Sequence, residues 1–101
     1  MDISQIETTY RLKLYITGQT MKSDLAVGNI HKIFEDLSIP FELTIIDVLE
    51  RPDLAEEDMV LATPTLIKTS PMPVRRIIGD LSDKKSVKIG LGLTLYEKKN
   101  Q

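Results

Sequence analysis

The chain has 101 residues, a typical length for one domain, and 42% of them are hydrophobic and 28% charged. Its 13 basic and 15 acidic side chains give a net charge of −2, which argues against nucleic acid or an anionic membrane as the main partner. The absence of cysteine excludes disulfides and thiol redox chemistry, and the single histidine, His31, leaves no histidine cluster for a metal.

Targeting signals are not evident in the sequence. No apolar run approaches the ~20 residues needed to span a bilayer, and the first residues lack the basic and apolar regions of a signal peptide. We therefore expect a cytoplasmic protein in which residues 1–101 form one domain, with flexible ends at 1–9 and 97–101. We expect no catalytic residue, no cofactor and no metal site.

The first half of the chain predicts a strand, a helix and a second strand. Residues 10–17 alternate apolar and polar side chains, which predicts a strand with one face on the core. Apolar residues then recur at helical spacing as far as Leu37, after a cap at Thr20 or Ser23. Residues 41–49 predict a strand covered on both faces. A βαβ unit of this kind pairs its two strands in parallel.

The second half predicts shorter elements. Residues 50–58 begin a helix, because Pro52 suits the first turn and acidic side chains favour the positive end of the helix dipole. Pro64 then precedes a short strand at 66–68, and a turn with two prolines leads to a second short strand at 74–78. The helix is expected to be short because its apolar stripe is thin: Leu54, Val60 and Leu61.

The last segment, Val87–Leu95, carries conflicting signals. Its apolar residues alternate as in a strand, whereas the Asp80–Asp83 stretch offers helix caps just before it. Gly90 and Gly92 lower helix stability by ~1 kcal/mol each. Such a conflict can mark two packings that differ by a few kcal/mol, and of the two we expect the terminal helix.

The order βαβαββα is that of a thioredoxin-like domain with a mixed sheet, and Pro64 lies where that fold commonly has a cis proline. Redox members carry two cysteines at the place of residues 18–23, so thiol catalysis is excluded here. We expect Ser23 to cap a helix rather than act as a nucleophile, and Asp47 to accept hydrogen bonds from backbone N–H groups. The acidic residues 56–58 either bind a cation or a basic partner or form a solvated face.

Four segments closely resemble the KaiB family of circadian-clock proteins: KLYITGQT (13–20), IDVLERPDLAEEDMVLATPTLIK (46–68), PVRRIIGDLSD (73–83) and VKIGL (87–91). The resemblance implies a non-enzymatic regulator that docks on the N-terminal lobe of the KaiC ATPase ring, modulates its phosphorylation or signalling cycle and captures KaiA. It also implies displacement of the thioredoxin-like sensor domain of a histidine kinase. The family has two folds, a thioredoxin-like monomer and a homo-tetramer with the order βαββααβ.

On this resemblance, the docking surface is the segment 51–61 with two arginines of the following strand. The expected partner-binding residues are Arg51, Pro52, Leu54, Glu56, Met59, Arg75 and Arg76, and the expected fold-determining residues are Pro64, Gly90 and Gly92. Met59 stands where the family usually has lysine and Gly92 where it has aspartate, so the chain resembles a divergent paralogue. The alternatives are a ligand-binding module at the Pro64 corner and a histidine-kinase or stress-signalling module without a clock role.

Overall fold

The computed structural model describes residues 8–94, so the flexible ends expected at 1–9 and 97–101 lie, apart from residues 8 and 9, outside the described residues. Its elements follow the order βαβαββα that we predicted. They are β1 (Tyr10–Ile16), α1 (Met21–Asp36), β2 (Phe41–Asp47), α2 (Pro52–Glu57), β3 (Thr65–Ser70), β4 (Arg75–Ile78) and α3 (Lys84–Gly90).

The four strands form one mixed sheet in the order β2-β1-β3-β4. β1 and β2 are parallel, as predicted, with Tyr10 opposite Phe41 and Ile16 opposite Asp47. β3 is antiparallel to β1 and to β4. The peptide bond before Pro64 is cis, as predicted, and the bonds before Pro71 and Pro73 are cis as well.

Helices cover both faces of the sheet. α1 and α3 pack on one face, where Phe34 and Leu91 join a core that includes Leu14 of β1. α2 packs on the other face, where Ala55 contacts a smaller cluster around Tyr15. The helical layer on the α2 face is therefore smaller than the layer on the other face, because a six-residue helix covers much less surface than α1 and α3 together.

Two strand predictions were wrong about coverage. β1 was expected to bury one face only, yet Tyr15 is completely buried because α2 covers the second face. β2 was expected to be covered on both faces, yet Ile45 is 49% exposed. Because β2 is an edge strand, no further strand shields it.

The first helix begins where its capping residues predicted. Thr20 is the N-cap of α1, its hydroxyl accepts a hydrogen bond from the Ser23 N–H at 3.1 Å, and the Ser23 hydroxyl accepts one from the Thr20 N–H at 2.9 Å. This reciprocal capping satisfies two N–H groups that would otherwise lack partners. Ser23 therefore has the structural role that we expected.

The segment with conflicting signals is helical as far as Gly90. Asp83 caps α3 by accepting a hydrogen bond from the Ser86 N–H, and Val87 and Leu91, four residues apart, are both buried. Gly92 follows with φ of +74°, a conformation that favours glycine. The strand-like alternation fails at Ile89, whose side chain is exposed. Leu95, at the end of that pattern, lies outside the described residues.

We predict that Gly90→Val destabilises the fold by about 1–3 kcal/mol. A Cβ atom at Gly90 would lie 3.0 Å from Cδ1 of Ile77, and a branched side chain there would overpack the contact between α3 and β4. Gly28→Ala in α1 is the matched control, because a Cβ atom there meets nothing within 4 Å. It should stabilise the fold by up to ~1 kcal/mol through helix propensity. Urea unfolding followed by circular dichroism measures both, and equal stabilities for the two variants would contradict the packing assignment.

Candidate protein-binding surface

A shallow, largely apolar groove of about 900 Å³ lies on the α2 face of the sheet. Its walls come from the residue that follows β2, from α2 and its following loop, and from β4. We call it the α2 groove, and its lining residues are Val48, Pro52, Ala55, Glu56, Met59, Val60, Leu61 and Arg76. Four of these, Pro52, Glu56, Met59 and Arg76, were predicted from the sequence as partner-binding residues.

Two large apolar side chains at the groove are exposed to solvent. Met59 is 72% exposed and Leu61 is 95% exposed. Leu61 was predicted to belong to the apolar stripe of the helix, and that prediction was wrong. α2 ends at Glu57 and Met59 has φ of +52°, so the chain turns away before Leu61 can pack on the sheet. Exposed apolar side chains around a concave surface are typical of protein-binding sites.

A partly buried polar cluster holds the C-terminal end of α2 against the sheet. The Tyr15 hydroxyl donates a hydrogen bond to the Asp58 carboxylate and also lies 3.2 Å from the carbonyl oxygen of Leu54. Nζ of Lys13 lies 3.1 Å from the same carboxylate. The Tyr15 hydrogen bond, together with Lys13, lowers the pKa of Asp58, although partial burial opposes the shift. The sequence did not reveal this cluster, because Asp58 lies more than forty residues after Lys13 and Tyr15 in the chain.

Arg76 holds the same end of α2 from β4. Its Nη2 donates to the carbonyl oxygen of Asp58 at 2.6 Å and its Nη1 to that of Met59 at 3.3 Å. A guanidinium at this position satisfies carbonyl groups that a helix leaves free at its C-terminal end, where a positive charge is also favourable. Arg76 thus shapes the groove as well as lining it.

The structure separates Arg75 from Arg76. Arg75 lies opposite Lys68 in the β3–β4 register and is on the face covered by α1 and α3. Burial lowers the pKa of Lys68, and the positive charge of Arg75 lowers it further. Nζ of Lys68 lies 5.5 Å from the centre of the Tyr10 ring. Arg75 therefore does not join the α2 groove.

The two other predicted residues lie at the start of α2 without lining the groove. Arg51 pairs with Asp53 through two hydrogen bonds of 3.0 and 3.1 Å, and both side chains are exposed. Leu54 is partly buried against the cluster around Tyr15. Arg51 is accessible to a partner, whereas Leu54 mainly anchors the helix.

We predict that Tyr15 makes the fold sensitive to alkali. Burial, together with the hydrogen bond and the negative charge of Asp58, raises the pKa of Tyr15 well above its usual value near 10. The contribution of Tyr15 to the free energy of unfolding is therefore complete below pH 10. It is lost as pH rises from 10 towards the folded-state pKa, and the free energy of unfolding falls by up to about 1.4 kcal/mol per pH unit. Urea midpoints between pH 9 and 11.5 should fall more steeply for the wild type than for Tyr15→Phe. Parallel pH profiles would contradict the assignment.

A smaller cavity of about 200 Å³ lies at the Pro64 corner, between Thr63 and the start of α1. The hydroxyl oxygens of Thr17 and Thr63 are 2.6 Å apart there. Asp47 nearby accepts hydrogen bonds from the N–H groups of Gly18 and Leu49, at 3.0 and 2.9 Å, as we expected.

Within residues 8–94 no group of three or more acidic, histidine or cysteine side chains is placed to hold a metal ion. None of the described helices is long and apolar enough to span a bilayer.

Solved structures with the same arrangement confirm the thioredoxin-like fold. The N-terminal domain of SasA from Synechococcus elongatus superposes with a TM-score of 0.69 at 23% identity, covering 88% of this chain and 87% of that domain. Mitochondrial thioredoxin 3 from Saccharomyces cerevisiae superposes with a TM-score of 0.63 at 20% identity, covering 80% and 74%.

Sequence comparison identifies the family. A circadian clock oscillator protein KaiB from Trichodesmium erythraeum is 51% identical over 100 residues, covering 98% of this chain and 95% of the relative. The protein of the same name from Synechococcus elongatus is 55% identical over 90 residues, covering 88% of each chain. The model of the KaiB domain matches residues 13–93, a range that includes the α2 groove, the Pro64 corner and α3. The chain therefore belongs to the KaiB family.

Proposed function

We propose that this protein is a non-enzymatic clock regulator that docks through the α2 groove on the ring of a KaiC-like ATPase and modulates its phosphorylation or signalling cycle. The observation that carries the proposal is the exposure of Met59 and Leu61 beside a concave apolar surface in a member of the KaiB family. Capture of a KaiA-like protein and competition with the sensor domain of a histidine kinase are further parts of the proposal.

The construction of the groove supports a docking role. α2 is only six residues long and would be marginal alone, yet Tyr15, Lys13 and Arg76 hold its C-terminal end in place. The groove is thus largely formed before any partner binds, which reduces the entropy lost on association.

Size-exclusion chromatography with purified KaiC-like ATPases of the same organism tests the proposal. We expect the protein to co-elute with the assembled ring of one of them in the presence of nucleotide. Failure to form a complex with any of these ATPases, at concentrations of tens of micromolar, would overturn the proposal.

A ligand-binding role at the Pro64 corner is the second candidate. The cavity at that corner supports it, but less strongly than the α2 groove supports docking. At about 200 Å³ it is smaller than most small-molecule sites, which occupy about 300–1,000 Å³. The whole chain also has no cysteine to react with a thiol ligand. Thermal-shift assays with glutathione separate the two candidates, because a stabilising shift is expected only for the ligand-binding role.

A further inference from the structure

The charges around the α2 groove suggest the chemistry of its occupant. Residues 50–58 contain five acidic side chains and one basic one. Two of the acidic groups are paired, Asp53 with Arg51 and Asp58 with Lys13. Within the part of the chain that the structure describes, the carboxylates of Glu50, Glu56 and Glu57 form no hydrogen bond or ion pair. The segment that forms one wall of the apolar groove therefore carries an excess of unpaired negative charge.

Glu56 is the one acidic residue of this group that lines the groove itself. The guanidinium of Arg76, the cationic group of the lining, donates to the backbone carbonyls of Asp58 and Met59 and forms no ion pair with Glu56. The positive charge of Arg76 is thus directed at the C-terminal end of α2. The Glu56 carboxylate is left to water as long as the groove is open.

Closing the groove changes the surroundings of that carboxylate. A wholly apolar partner segment would remove water from Glu56 without replacing its hydrogen bonds, which is unfavourable for an ionised group. A lysine or arginine beside the apolar anchor removes this penalty, and the attraction between the charges grows as water is excluded. We infer that the α2 groove binds a segment of the ATPase that presents an apolar side chain flanked by lysine or arginine, with Glu56 as the pairing residue that determines specificity. This inference rests on the proposed docking function.

The test compares two charge reversals by isothermal titration calorimetry with the KaiC-like ATPase that co-elutes with the wild type. Glu56→Lys should weaken binding at least tenfold. The matched control is Glu35→Lys on α1, an exposed position on the opposite face of the sheet, which should change the dissociation constant by less than twofold. Glu56→Gln should weaken binding by a smaller factor. Melting curves confirm that all three variants are folded.

Salt dependence gives a second measurement. Wild-type affinity should fall several-fold between 50 and 300 mM NaCl, and Glu56→Gln should flatten that dependence, because screening acts on charge pairs. Equal effects of Glu56→Lys and Glu35→Lys, or a wild-type affinity independent of salt, would overturn the inference while leaving the docking function intact. If the wild type binds no KaiC-like ATPase, the docking function falls and this inference falls with it.

Discussion

Replacing Leu61 with asparagine is expected to weaken binding to the KaiC-like ATPase about thirtyfold or more. Leu61 is 95% exposed in the free protein, so the change removes almost no internal packing. In the complex it would remove an apolar contact and bury an amide without a partner, which together cost more than about 2 kcal/mol. Calorimetric titration measures the loss, and the melting temperature of the free variant should stay close to that of the wild type.

Ile89→Asn on α3 is the matched control for this experiment. Ile89 is 57% exposed and lies in the helix that packs on the opposite face of the sheet. Its replacement should leave the dissociation constant within a factor of two. An equal loss of affinity in the two variants would show that general surface hydrophobicity, rather than the α2 groove, drives association.

Asp58→Ala is expected to lower the free energy of unfolding by about 2 kcal/mol and to weaken partner binding as well. The change deprives the buried Tyr15 hydroxyl of its main acceptor. The loss of the Lys13 pair contributes less, because 37% of the Lys13 side chain is exposed and solvent screens the charges. Chemical denaturation at pH 7 measures the stability. The control is Asp53→Ala, whose exposed pair with Arg51 and position in the first turn of α2 should together contribute much less stability than Asp58 does.

The pH dependence of the free energy of unfolding, measured for the wild type and Asp58→Ala, tests whether Asp58 stabilises the fold in its ionised form. The pKa of Asp58 is lower in the folded than in the unfolded state. The contribution of Asp58 to the free energy of unfolding is therefore present above about pH 4 and is lost as pH falls through the folded-state pKa. The wild type should therefore lose its advantage over Asp58→Ala in acid. A stability difference that is the same at pH 7 and in strong acid would contradict the assignment of Asp58 as the ionised acceptor.

Local signals in the sequence were sufficient for most of the elements. The Thr20 and Ser23 caps located the start of α1, and the cap at Asp83 outweighed the strand-like alternation after Val87. The strand predicted at 74–78 also implied that Arg75 and Arg76 lie on opposite faces of the sheet, because consecutive strand residues point to opposite faces. Our prediction nevertheless placed both arginines at the docking surface.

The missed features depend on contacts between distant parts of the chain. Tyr15 occupies a polar position in the alternation of β1, and only the placement of α2, nearly forty residues later, buries it. Likewise, the exposure of Leu61 follows from the turn at Met59, which no proline or glycine marks. The groove was therefore predictable as the segment 51–61 with Arg76, but its wall at Val48 was not.

Hydrogen–deuterium exchange on the complex with the KaiC-like ATPase is the most direct test of the docking surface. Relative to the free protein, we predict slower amide exchange in α2 and the loop that follows it, residues 54–61, and in β4, with little change in α1 and α3. Protection concentrated in α1 or α3, with exchange at 54–61 unchanged, would contradict the assignment of the α2 groove as the binding surface.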